Sequence, residues 1–265
     1  MPDTILDFGA PPVIEVVVSV RFDPLQELHV PHYGLFWNEV RAEFPTSEHA
    51  SPLANVGTIA LDAVTGVPIP RVWLISRSGN ELIQLQSDAF IFNWRQVEDG
   101  DNAYPRFSHV VAQFQRFFDL WKSFVHRELG AELRLTASEL SYINTIPKGE
   151  GWKSWGELGE LFPDFVWRKD QRFLPPPSQL SFQLSFPIEG ARDRLIVRLN
   201  PAIRKKDKVE LVRLELVAHS DVDVGDDPRL DDWLKLGREW IVKGFADITS
   251  EDVQKTVWLR EAIHA

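Results

Sequence analysis

The segment Leu133 to Pro147, LRLTASELSYINTIP, lies almost at the middle of the 265-residue chain and constrains the fold more than any other stretch. Its apolar and polar residues alternate and its end is β-branched, which predicts a long strand. Tyr142 and Asn144 share one face with Leu140 and Ile146, while Glu139 lies on the other. On both sides of it the pattern runs in a similar order. Strand, helix, several antiparallel strands and a long helix come before; strand, short helix, three antiparallel strands and a long helix come after.

The first of these strands is Val13 to Phe22, VIEVVVSVRF, dense in valine. Tyr33, Phe36, Trp37, Val40 and Phe44 then recur at helical spacing, and Pro45 stops that helix. Thr46 to Pro70 reads as loop with one weak edge strand around Val56 to Leu61. Arg71 to Arg77, Glu81 to Gln86 and Phe90 to Arg95 follow as a meander, broken at Ser78-Gly79-Asn80 and at Ser87-Asp88. Phe107 to Leu129 keeps its aromatic stripe for over six turns, so it is a core-facing helix ended by Gly130. In the second half, Trp155, Leu158 and Leu161 mark a short helix and Pro175-Pro176-Pro177 an elbow. Leu180, Phe182, Leu184 and Phe186 alternate as a half-buried strand, and Arg194 to Asn200 and Val209 to His219 complete the sheet. A second long helix starts at Asp227-Pro228, and a short one follows Thr249 to Asp252. Gly237 and Gly244 stand on the long helix's apolar stripe, where a close backbone approach would account for them.

This order predicts an α+β fold of one domain made of two pseudo-repeated halves, about 11–130 and 131–265. The expected arrangement is a curved antiparallel sheet with two long helices on one face, TATA-binding-protein-like; a helix-grip fold is the alternative.

Composition removes whole classes of chemistry. The chain has no cysteine, so disulfides, thiolate metal sites and cysteine nucleophiles are out. A formal net charge of −10 argues against nucleic acid, because phosphate neutralisation needs a basic surface. No apolar run is long enough to span a membrane and the start lacks a basic, apolar leader, so a cytoplasmic protein is expected. No phosphate-binding glycine loop, nucleophile elbow or zinc-protease motif is present. His29 and His32 lack further ligands, and the acidic run Asp221 to Asp227 departs from a calcium loop at Val224 and Asp232. Neither a metal nor a cofactor is expected, and no residue is assigned a catalytic role.

The alternating strands leave a polar sheet face, solvated or binding. Its candidate contacts are Glu15, Arg21, Asn93, Arg95, Glu139, Arg198 and Arg213, among others including Gln84, Gln86 and Gln183. Glu15 and Glu139 would form a carboxylate pair only if their strands adjoin. Tyr142 and Asn144 read as a hydrogen-bonded clasp or as ligand contacts. Trp94, Tyr142, Asn144 and Trp240 could line an aromatic pocket between sheet and helices.

Several segments, Pro11-Pro12-Val13-Ile14-Glu15, FIFNWR at 90–95, YPRF at 104–107, LSYINTIP at 140–147 and EWIVKGFADIT at 239–249, together resemble a sporadically distributed, uncharacterised bacterial family. Its marks are an N-terminal PP-(I/V)-x-E segment and a central Tyr-x-Asn strand. The resemblance implies a bacterial, single-module accessory protein. The expected function is therefore a binding module that recognises a protein or peptide partner without catalysis, with a homodimer as a further option; the alternative is a small-ligand binder or enzyme using the aromatic pocket.

Overall fold

The computed structural model describes residues 4–53, 66, 69–97, 103–167, 173–188, 193–221 and 227–264. The fold is α+β, with a large antiparallel sheet and few helices. Two compact units divide the chain. One, the N-terminal unit, comprises Glu15–Leu140 and Ser220–Asp232; the other, the C-terminal unit, comprises Met1–Ile14, Ser141–His219 and Trp233–Ala265.

The N-terminal unit carries β2 (Val13–Phe22, from Glu15 on), α1 (Val30–Val40), β3 (Thr46–Ala50), β4 (Arg71–Ile75), β5 (Glu81–Gln86), β6 (Ala89–Arg95) and α2 (Phe107–Leu129). Its strands lie in the order β3-β4-β5-β6-β2, so the first strand pairs with the last of the meander. Turn chemistry makes the register. Ser87-Asp88 closes the β5–β6 hairpin at the Gln86–Ala89 pair. Gly79 takes the left-handed φ of 78° that the β4–β5 turn requires, a conformation costly for other residues. One face is an aromatic core. Val16, Val18 and Val20 are fully buried, and Phe90 and Phe92 pack on Phe114, Phe117 and Phe118 of α2 with centroids 5.4–6.1 Å apart. Phe36 of α1 meets Trp121 edge-on at 5.0 Å. Each such side chain contributes roughly 1.5–3 kcal/mol on burial, so this stripe is what holds α2 down.

Helix α1 ends at Val40, four residues before Phe44, but Trp37 still reaches that end by donating its indole N–H to the Phe44 carbonyl at 2.9 Å. The expected strand at Val56 to Leu61 lies outside the described residues. The edge strand observed is β3, TSEHA, which lacks apolar alternation and forms because β4 offers it a pairing edge.

The C-terminal unit carries β1 (Thr4–Phe8), the rest of β7 (Leu135–Pro147), a 3-10 segment (Trp155–Glu160), β8 (Phe182–Pro187), β9 (Arg194–Ile203), β10 (Glu210–Ser220), most of α3 (Asp227–Ile248), α4 (Glu251–Thr256) and β11 (Arg260–His264). Its strands follow β7-β10-β9-β8, again with the first beside the last. The lead-in ahead of Pro11 forms β1, paired antiparallel with β11. Phe8 packs edge-on against Phe245 at 5.4 Å, and Phe245 against Trp258 at 4.9 Å. Gln254, fully buried, ties α4 back to α3 by donating to the Ala246 and Thr249 carbonyls. No described helix is long and apolar enough to cross a membrane.

Candidate functional sites

Four neighbouring strands of the N-terminal unit present Glu15, Asn93, Gln84 and Arg71 on one face, opposite the aromatic core. They form a continuous relay. Arg71 Nη1 donates to Gln84 Oε1 at 2.9 Å, Gln84 Nε2 to Asn93 Oδ1 at 2.7 Å, and Asn93 Nδ2 to Glu15 Oε1 at 2.6 Å. Its direction follows from its ends. A guanidinium only donates and a carboxylate only accepts, so both amides between them must be oriented as they are. Gln84 and Asn93 are 6% and 3% exposed. Gln84 and Asn93 are therefore not solvated: the two amides are buried and satisfied within the relay, as buried polar groups must be.

The same face holds a second cluster. Arg21 pairs with Asp88 at 3.1 Å, and Gln86 donates to Asp88 at 2.7 Å while its amide clasps both backbone groups of Leu53. Arg95 Nε donates to the Gly79 carbonyl and its guanidinium stands 5.9 Å from the Trp73 ring; Arg71 stands 5.5 Å from it. Burial, and then the nearby Arg21 charge, hold the Arg71 guanidinium below its ordinary pKa. Arg71 Nε and Trp73 Nε1 are shielded from solvent and find no acceptor among the described residues. Each such donor costs about 1–3 kcal/mol. Arg71, Trp73 and Asp88 are the residues that sequence reasoning passed over. The signal was their alternation with Val72 and Leu74, which puts Arg71 and Trp73 on the polar face.

Other expected contacts separate. Trp94 points the opposite way from Asn93, is 3% exposed and packs on Tyr104 at 5.3 Å, within the core of the N-terminal unit. Glu15 is engaged by Asn93, and Glu139 is half-buried in β7. In the C-terminal unit both faces of β7 are buried around Tyr142 and Asn144, and Asn144 donates to the Leu214 carbonyl at 3.2 Å. Arg198 donates to Gln183 at 2.8 Å and lies 3.6 Å from Glu215, which Arg213 also engages. Arg204 is paired with Asp207 at 2.8 Å. These basic groups are thus neutralised locally. His32 Nδ1 accepts the His29 backbone N–H at 3.0 Å at the start of α1, a capping role. Among the described residues no group of three or more metal-ligating side chains comes together; Asp221 to Asp227 falls mostly outside them.

Trp240 stands elsewhere, in a groove of about 360 Å³ within the C-terminal unit. Strand β8 ends the strand order of that unit, and its apolar side chains are not covered as their alternation predicts: Phe186 is 38% exposed. An edge strand has no next strand to complete its cover. The groove runs between Phe186 and Leu195 on one side and Trp240, Gly244 and Ile248 of α3 on the other, with Asp247 and the Glu239–Lys243 ion pair beside them. Gly244 is the close approach expected, since a Cβ there would lie 2.7 Å from Leu195 Cδ2. Antiparallel hydrogen-bonded pairs alternate. Ile188 N–H donates to Asp193 O at 2.9 Å, so Phe186 and Leu184 turn their backbone groups to β9, and Ser185 and Gln183 turn theirs to the outer edge.

No protein-family model matches the chain, and no curated protein matches it. A structural match is the DynU16 crystal structure, a protein of the dynemicin biosynthetic locus, at 13% identity and a TM-score of 0.25 over 88% of this chain and 97% of that one. A likeness at that TM-score carries no argument about this chain.

Proposed function

We propose that the protein is a non-catalytic, cytoplasmic binding module that recognises an extended peptide segment of a partner, docked along the outer edge of β8. The observation that carries this reading is an edge strand without a single charged side chain, FQLSFP, beside an apolar groove. Proteins ordinarily blunt such edges with charge, bulges or cover. An added strand would take its main-chain hydrogen bonds from Gln183 and Ser185 and place alternate side chains in the groove beside Trp240, the division of labour of strand-addition binding. At the rim Glu239 is paired with Lys243, so the groove selects for the peptide's apolar side chains rather than for its charge.

The two units are proposed to be pseudo-repeats, as in TATA-binding-protein-like folds. Support comes from the shared element order and from each unit's first strand lying beside its last. An accessory role in a bacterial host, implied by the family resemblance, fits a module that binds without reacting.

The test is selection from a random-peptide library on the whole chain, followed by calorimetry on the tightest sequences. Ser185→Pro removes one outward N–H without touching the β8–β9 ladder, and Trp240→Ala opens the groove. Both should weaken binding about tenfold or more while leaving the fold intact. Binding unaffected by either change would overturn the proposal.

A further inference from the structure

The polar face of the N-terminal unit has a feature that the relay does not use. One residue on from the Val72–Leu85 pair, Arg71 stands beside Gln86; Gln86 pairs with Ala89, and Ala89 with Arg21. Two arginines therefore occupy one row across the sheet with only an amide and a methyl group between them. Arg21 has its carboxylate in Asp88. Arg71 has an amide acceptor at Nη1 and, among the described residues, no acceptor at Nε. Two residues along the same strand face, the Trp73 indole N–H is likewise without an acceptor. A guanidinium Nε edge and an indole N–H on one strand face, neither with an acceptor among the described residues, are a donor set suited to an oxyanion.

We propose that this row binds the oxyanion group of a small ligand, a carboxylate or a phosphate, with Arg71 as its charge partner and the Trp73 indole as a second donor. The cation–π contact between them fixes both groups in place. Asp88 pairs with Arg21, whereas among the described residues no carboxylate forms an ion pair with Arg71, and Glu48, cross-strand from Trp73, is exposed; the Arg71 charge is left for the ligand to meet. Gln84 and Gln86 beside Arg71 are each 6% exposed, so the ligand we infer is a small molecule. This site is separate in unit and in chemistry from the β8 edge, and neither depends on the other.

The experiment titrates the whole chain with inorganic phosphate and, separately, with sodium acetate, against sodium chloride at matched ionic strength. The indole N–H resonance of Trp73, assigned by its loss in Trp73→Phe, and the melting temperature are followed together. The proposal expects a saturable shift of that resonance and a rise in melting temperature with phosphate or acetate that chloride does not give. Saturation with phosphate alone assigns a phosphate-bearing ligand, and with acetate alone a carboxylate. Arg71→Lys, which keeps the charge but loses the planar fork, should weaken the response about tenfold or more; Arg71→Gln is the second variant should the lysine fail to fold. Equal responses to all three salts, or an undiminished response in both arginine variants, would overturn the proposal.

Discussion

Asn93 is the residue on which the buried relay turns, and replacing it gives a measurable penalty. In Asn93→Ala, Gln84 Nε2 loses its acceptor at 2.7 Å and Glu15 Oε1 its donor at 2.6 Å. Gln84 is 6% exposed and pays nearly the full cost of an orphaned group, whereas Glu15 is half-buried and its share falls at the low end. With about 1–3 kcal/mol for each unsatisfied group, the sum is about 3 kcal/mol. For a chain of this size that lowers the melting temperature by roughly 6–12 °C. Glu15→Gln keeps an acceptor for Asn93 and should cost less than about 1 kcal/mol. Asn93→Asp is the sharper test. It sets two carboxyls at hydrogen-bonding distance, and like charges there require the pair to hold a proton in the folded state. The folded pair then binds more protons than the unfolded chain, so stability falls as pH rises above the ordinary carboxylate range, by up to about 1.4 kcal/mol per pH unit. Denaturant unfolding of the four proteins at pH 5 and pH 8 checks all of this. A cost below about 1 kcal/mol for Asn93→Ala, or an Asn93→Asp variant as stable as the natural protein at pH 8, would refute the relay.

Three further outcomes follow from the C-terminal unit. Gly244→Ala gains about 1 kcal/mol of helix propensity but pushes Leu195 into the groove; stability should change little while peptide binding is lost, as calorimetry would show. Gly151→Ala should destabilise by about 2 kcal/mol or more, because its φ of 75° disfavours a side chain and the new Cβ would lie 2.6 Å from Val253 Cγ2; thermal unfolding reads this directly. Burial, opposed in part by Arg204, holds the Glu150 carboxyl above its ordinary pKa. The folded state binds that proton more tightly, so this group's contribution is present at low pH and is lost as pH rises through the raised value. Glu150→Gln should therefore raise the melting temperature at pH 7 and flatten its decline above pH 4.5.

Most of the regular elements were legible in the sequence, because hydrophobic period and turn chemistry are local. Helix α2 spans Phe107–Leu129 and strand β5 spans Glu81–Gln86, as their patterns predict. Pairings between distant segments were not legible. Strand β1 meets β11 near the far end of the chain, and β3 exists only because β4 accepts it. Alternation also says which residues share a face but not what covers that face. Gln84 and Asn93 looked like surface residues and are buried in a relay, whereas Phe186 looked like core and is exposed at an edge.

The β8 edge is tested most directly by amide hydrogen exchange of the whole chain, with and without the tightest library-selected peptide. The account predicts that the Gln183 and Ser185 amides exchange fast alone and become protected in the complex, while the Leu184 and Phe186 amides are protected in both. A peptide that binds without slowing Gln183 and Ser185 would contradict it.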